Sequence, residues 1–577
     1  MATFLLVLPL VGFAAIVAAG LTYWFLDRSQ PVPETVRAAS SEIGRAAFAF
    51  LCRSHLVLGV VALAAFLALS RWLSIWTGWA FVTGCLLAVG TNLLAIRAGA
   101  RANGWTVQAA AFGHSQAFST ALSAASIPGL ILPSISLITV SLWYVLYLKG
   151  IIEPIDLVGL VLGASCLSVF SRLAGGVFHK AADLAAHVVA GLSDGAGEDD
   201  PANPAGLLEK AGDYVGNLAG SAAEAFELHL GSMVATMLIA SSGITTIVNI
   251  TPETLSAYMS FPLYLMAIGL IASTITLLIR YLFPRLEPAM VLRLSGVLGN
   301  IILLVGAFLL VNAMQMELGV FYSVLFGAVC GTVLSLLTEW YTSGPPVRRV
   351  IEASELGSPT NILAGFTAGM QSTVLPILTI CGVVLVAYNY AGIYGIGVAA
   401  LSLLATSATG LSFSSLSAIA DASSGVARMT FQSQSAISVT DRLDIFGNTV
   451  SAIGKSFAVG ASALVALALF SAYNRVAGLP ALDLVNPTVV VGLLLGGVLP
   501  FLITDTGVSS TGKVAFRLID ESRRELRRRR EGAAKADLSV VITASWLTLR
   551  EMMFPLAVCL GSPIAVGLIL GRAALGG

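Results

Sequence analysis

Long apolar runs separated by short polar connections fill this chain from one end to the other. A helix needs about 20 residues to cross roughly 30 Å of hydrocarbon. About fourteen runs meet that length, near 3–26, 55–70, 76–97, 124–148, 155–190, 212–247, 258–283, 289–313, 318–341, 361–388, 391–414, 444–474, 487–511 and 540–570. The runs at 155–190 and 212–247 exceed what a bilayer requires, so one end of each must project into water. Those ends are also the polar ones. The pattern predicts an all-α polytopic membrane protein, one membrane-embedded domain over 1–577. The N-terminal run from Thr3 to Leu26 lacks a basic flank and a small-residue cleavage site. It is expected to be a first transmembrane helix and not a removable leader.

Composition agrees. Of 577 residues, 57% are hydrophobic and 11% charged, with mean hydropathy +0.89. Soluble domains carry about 25% charged residues, which excludes an ordinary soluble enzyme, and disorder needs the opposite balance. The 31 basic and 31 acidic residues cancel, so no nucleic-acid partner is implied. The six cysteines form no CxxC pair and read as packed thiols.

The placement of charge says more than its sum. Odd-numbered connections hold Arg28, Arg37, Arg45 and Arg53, then Arg97 and Arg101, Arg280 and Arg285, Arg348 and Arg349, and last the run from Arg523 to Arg530. Even-numbered ones offer little beyond Arg71, Lys149 and Arg475. Short basic loops stay cytoplasmic. The odd loops, including a polar loop at 191–211 and a basic loop at 512–539, are therefore expected in the cytoplasm, with both termini on the outer side of an inner or plasma membrane.

Charge inside a membrane span faces a cavity or a partner, which makes it a functional candidate. On the fifth run Arg172, His179, Asp183 and His187 follow one stripe, with Lys180 beside Asp183. Glu198, Asp199 and Asp200 follow in the next connection. The sixth run carries Glu209, Asp213 and Asn217 at successive i, i+4 steps, then Glu224. A later group holds Asp421, Asp441, Asp444, Asn448 and Lys455. Carboxylates with few histidines and no cysteine favour a hard cation such as Mg2+ bound through oxygen, bridging to phosphate. Lys180 and Lys455 would then meet phosphate oxygens as point charges. A solvated helix face is the plainer reading of such charges, and it does not require Asp and Lys at the mouths of several separate helices. No GxxxxGK[ST], GxSxG or HExxH motif is present, which argues against an ATP-driven pump and against serine or zinc hydrolases.

These residues resemble the membrane-embedded inorganic pyrophosphatases, pumps that hydrolyse pyrophosphate with Mg2+ and move H+ or Na+. The likeness is carried by RLAGGVFHKAAD from Arg172 to Asp183, EDDPANPA from Glu198 to Ala205, TEWYT from Thr338 and SPTNI from Ser358. It continues through DRLDIFGNT from Asp441, GKSFA from Gly454, LPF from Leu499 and LREM from Leu549. The resemblance implies an inner ring of helices around a polar cytoplasm-facing cavity, sixteen helices in the family against about fourteen here. It implies substrate contacts from Lys180, Asn448 and Lys455, metal ligation by Asp183, Glu198, Asp199, Glu209, Asp213 and Asp421, and a catalytic pair at Asp213 and Asn217. It also implies an ion gate at Arg172, Glu224 and Glu227, Mg2+ as cofactor, and a homodimer in the lipid bilayer.

Several positions depart from the family pattern. His187, Gly191, Ser193 and Arg428 replace charged residues, and Glu209 and Glu224 each replace an Asp. Asn217 stands where the family uses an Asp on the nucleophilic water. Gly231 takes the place of an outlying glutamate, with Glu227 one turn earlier. The chain reaches Gly577 where two further family helices would begin, so a partner chain supplying them is one expectation. The implied function is Mg2+-pyrophosphate hydrolysis coupled to H+ or Na+ translocation by ancestry, with hydrolysis impaired. The alternative is a non-catalytic subunit or a binding or scaffold protein for phosphate compounds.

Overall fold

The computed structural model describes residues 7–192, 203–242, 248, 250–279, 286–479, 482–530 and 539–577. Among them every regular element is a helix. In chain order these begin with α1 (Val7–Ser29), α2 (Glu34–Trp72), α3 (Ile75–Ala110), α4 (His114–Leu148) and α5 (Val158–Leu192). Helix α6 runs from Pro204–Asp213 through a π-helical turn at Tyr214–Ala219 into Gly220–Ser241. Then come α7 (Leu255–Leu277), α8 (Pro288–Ala313), α9 (Leu318–Ser343) and the short α10 (Pro345–Glu355). The chain continues with α11 (Ser358–Ala405), α12 (Ser407–Met429), α13 (Gln434–Val476), α14 (Pro487–Arg530), α15 (Ser539–Ile569) and α16 (Arg572–Gly576).

Thirteen helical stretches are long and apolar enough to cross a membrane. One of them, the 48-residue α11, would be about 72 Å long if straight, more than twice the hydrocarbon thickness. It breaks at Ala391 and Gly392, where Gly392 takes φ 62° and ψ −150°, a conformation open to glycine and costly for any residue with a Cβ. Residues 358–390 make one passage. Residues 393–405 bend at Thr406 and run on through α12 as the next. The runs expected at 361–388 and 391–414 thus each have a helical counterpart on either side of the break.

Helix ends differ from the apolar runs where polar residues prolong a helix beyond the bilayer. Helix α2 begins at Glu34 and not near 55, because Ile43, Ala46, Ala47, Phe50 and Leu51 recur at helical spacing and are buried. Helix α4 starts at His114, ten residues ahead of its apolar run. Of the segment read as a basic loop, 512–530 continues α14 as helix, with Ser510, Ser522 and Glu525 buried along it. Of the segment read as a polar loop, 204–211 is already α6. Residues 193–202, with Ser193, Glu198, Asp199 and Asp200, lie outside the described residues, as do Arg280 and Arg285.

Among the thirteen apolar stretches α6 is the most enclosed, followed by α7 and then α4 and α5. Helices α1, α2, α14, α15 and the first half of α11 bury little and present apolar side chains outward. Since lipid tails are as apolar as leucine, close backbone approach does much of the work of association. The α5–α6 crossing shows it. A Cβ on Gly212 would lie 2.9 Å from His179 Cα, and one on Gly216 would lie 3.0 Å from His179 Cβ. These two glycines bring the polar stretches of both helices together.

Candidate functional site

Four helices converge on a cavity of about 610 Å3. Helix α5 contributes Arg172, His179, Lys180 and Asp183; α6 contributes Glu209, Asp213 and Asn217; α12 contributes Ser417 and Asp421; α13 contributes Asn448, Ser451 and Lys455. Every described residue expected to bind substrate, ligate metal or act in catalysis lines this one space. Residues 172 and 455 are far apart in sequence, and the packing of α6 against both α5 and α13 unites them.

Asp213 sits at the inner end, buried. Its Oδ1 accepts from Asn217 Nδ2 at 2.9 Å and lies 2.6 Å from His179 Nε2. The π-helical turn starts directly after it, anchored by the Tyr214 hydroxyl, which donates to Gly99 O at 2.8 Å and also meets Asn103 Oδ1. Such turns recur at functional sites because they re-aim side chains without ending the helix. Here the turn leaves Asp213 and Asn217 on one face despite the changed period.

Beside Asp213 lies Asp421. The ammonium of Lys210 stands between it and Glu209, 3.1 Å from Asp421 Oδ1 and 3.2 Å from Glu209 Oε1. The sequence reading passed over Lys210. Its signal was a lysine amid the small and apolar residues of α6, one step after Glu209 and three before Asp213. At the outer end Lys180 Nζ is 3.1 Å from Asp183 Oδ2, and His187 Nε2 is 3.5 Å from Asp183 Oδ1. His187 itself is exposed. Arg428 binds Asp441 Oδ2 at 2.6 Å while Ser424 Oγ donates to Asp441 Oδ1 at 2.7 Å. That ties α12 to α13 away from the cavity lining, so Asp441 acts as a strut.

The three gate candidates sit further along α5 and α6. Arg172 pairs with Glu224 Oε2 at 2.6 Å, and two turns earlier on α5 the Ser165 hydroxyl donates to Glu227 Oε1. Lys455 lines the main cavity and also a small one of about 40 Å3 that reaches Glu224, His229 and Ser407. His229, absent from the sequence reading, is fully buried. Its Nδ1 is 2.6 Å from Ala225 O, which can only accept, so Nδ1 carries the proton and Nε2 accepts from Ser407 Oγ at 2.8 Å. Gly231 is held by packing, since a Cβ there would stand 3.2 Å from Val465 Cγ1.

Mg2+ demands several oxygens near 2.1 Å in octahedral geometry. Among the described residues no group of three or more His, Cys, Asp or Glu side chains is arranged to hold a metal ion. The two ends of the cavity differ. Asp183, at the mouth, pairs with Lys180 and His187, both exposed side chains able to swing aside, so it fits an ion that keeps its waters and is shared with a phosphate. Glu209 and Asp421 do not fit a divalent ion, because an ammonium is lodged between them.

Residues 13–577 match the family described as inorganic H+ pyrophosphatase. A Clostridium tetani protein, whose name proposes a K+-stimulated pyrophosphate-energized sodium pump, is 32% identical over all of this chain and 86% of its own length. A Methanosarcina mazei K+-insensitive pyrophosphate-energized proton pump is 31% identical over 99% of the chain and 86% of its own length. A protein of the same description from Caldanaerobacter subterraneus is 30% identical over 99% and 87%.

Proposed function

The chain belongs to the inorganic H+ pyrophosphatase family, and from that premise we propose that its cavity binds pyrophosphate or a closely similar phosphate compound, with hydrolysis impaired. Lys180 and Lys455 meet the phosphate oxygens as cations, and Asn448 orients them through its amide. Mg2+ bound at the mouth by Asp183 would offset the charge of the anion; Glu198 and Asp199, which the resemblance implies as further ligands, lie outside the described residues.

The observation that carries the impairment is the environment of Asp213. A general base must offer a free lone pair to the proton it takes from water. Two donors converge on Asp213 Oδ1, one of them the amide of Asn217, so only Oδ2 of this carboxylate is left to take a proton, and the second acid that the resemblance implies is an amide, which cannot act as a base. Loss of a base costs a factor of about 10² to 10⁴. Ion passage, in the same proposal, follows Arg172, Glu224 and Glu227. The mouth opens toward the cytoplasm, the side on which basic connections are retained, and the working unit is a homodimer.

The test is phosphate release by purified protein in lipid with Mg2+ and pyrophosphate, beside calorimetric titration with methylenediphosphonate. The expected result is analogue binding with little release. Rapid release that disappears in Asp213→Ala would overturn the impairment. Neither binding nor release would leave a scaffold.

A further inference from the structure

Lysine is almost never fully buried unless paired, yet Lys210 keeps only 4% of its surface exposed. Its ammonium bridges two helices, holding Glu209 of α6 and Asp421 of α12 at 3.2 and 3.1 Å. Both carboxylates face the cavity. These are hydrogen-bond distances. They spread the two carboxylates wider than the roughly 2.1 Å shell of a magnesium ion. His179 and Asn217 engage the third inner carboxylate, Asp213.

The charges can be counted among the described residues. Four carboxylate side chains line the cavity (Asp183, Glu209, Asp213 and Asp421) against three basic ones (Arg172, Lys180 and Lys455). Lys210, just beneath the lining, makes the fourth cation. A site left one charge negative would repel a multiply charged anion unless extra metal entered with it. Like charges at about 4 Å cost several kcal/mol at the effective dielectric of a protein. A tethered ammonium removes that excess permanently, and no chelator can strip it.

We propose that Lys210 is a built-in cation in the place of a divalent ion between Glu209 and Asp421, so that this site takes its phosphate ligand with one metal ion fewer than its carboxylates would otherwise demand. For the identity of the ligand this rests on the function proposed above. For the metal count it does not.

Mn2+ titration followed by electron paramagnetic resonance, on the full chain in lipid with no phosphate compound present, reads the count directly. Lys210→Asn is expected to bind one more Mn2+ per chain than the wild type, and its thermal midpoint to rise further on adding Mg2+ than the wild type's does. Equal counts would overturn the proposal. Should Lys210→Asn fail to fold, Asp421→Asn decides, since it leaves the Lys210–Glu209 pair in place. An unchanged Mn2+ count supports a built-in cation, and loss of one Mn2+ overturns it. A purely structural lysine would move stability but not the count. Titration of methylenediphosphonate in the same samples separates the two readings. An extra Mn2+ in Lys210→Asn without analogue binding sinks the function and keeps this inference; analogue binding with equal counts does the reverse.

Discussion

At Asp213 the chemistry turns on one neighbour. Asn217 both removes a carboxylate and donates to Asp213 Oδ1 at 2.9 Å, so restoring an acid changes two things at once. Asn217→Asp is expected to raise phosphate release from Mg2+-pyrophosphate by about 10²-fold, the span attributed to a positioned base. No increase would mean that the inner site is limited by something other than the missing base. Gly231 poses the opposite case. Gly231→Glu would restore a carboxylate to the gate but drive it against Val465 Cγ1, and overpacking of this kind costs about 1–3 kcal/mol. A lowered thermal midpoint is expected, and an unchanged one would show that α13 yields. Glu227, one turn before Gly231, is held by the Ser165 hydroxyl.

Helices α6 and α11 carry the two irregularities that place the site. In α6 the π-helical turn at Tyr214–Ala219 follows directly after Asp213. In α11 the break at Ala391 and Gly392 divides a helix too long for one crossing and hands its second part to α12, which bears Asp421. Gly392→Ala would be forced into a backbone region that only glycine enters cheaply, at a cost of about 1–3 kcal/mol. The variant should melt earlier in lipid, and equal melting would mean that the break relaxes to another geometry. The apolar runs themselves were plain in the sequence, and Asp183, Asp213 and Lys455 were identifiable as charges misplaced in hydrocarbon. Helix lengths were not. A hydropathy run ends where water begins, whereas a helix such as α2 or α14 continues while its backbone bonds and its buried stripe persist.

Across the whole molecule the cavity lies between α5 and α6 on one side and α12 and α13 on the other. A ligand that binds only when these four meet stabilises the bundle by mass action. Methylenediphosphonate at 100 times its Kd is expected to add about 2.7 kcal/mol, read as a raised unfolding midpoint that Lys455→Ala abolishes. No shift in the wild type would argue that the phosphate site is not formed by these helices. Hydropathy and charge placement decided that this is an all-helical membrane protein, because crossing hydrocarbon leaves the backbone few other ways to satisfy its polar groups. They also picked out most of the polar residues, because burying charge in lipid is too costly to be incidental. Which of those charges face each other was decided only by tertiary packing. Lys210 against Asp421 and Ser407 against His229 join helices far apart in the chain, and His179 against Asp213 joins two successive ones; no periodicity within one helix encodes its distance to another.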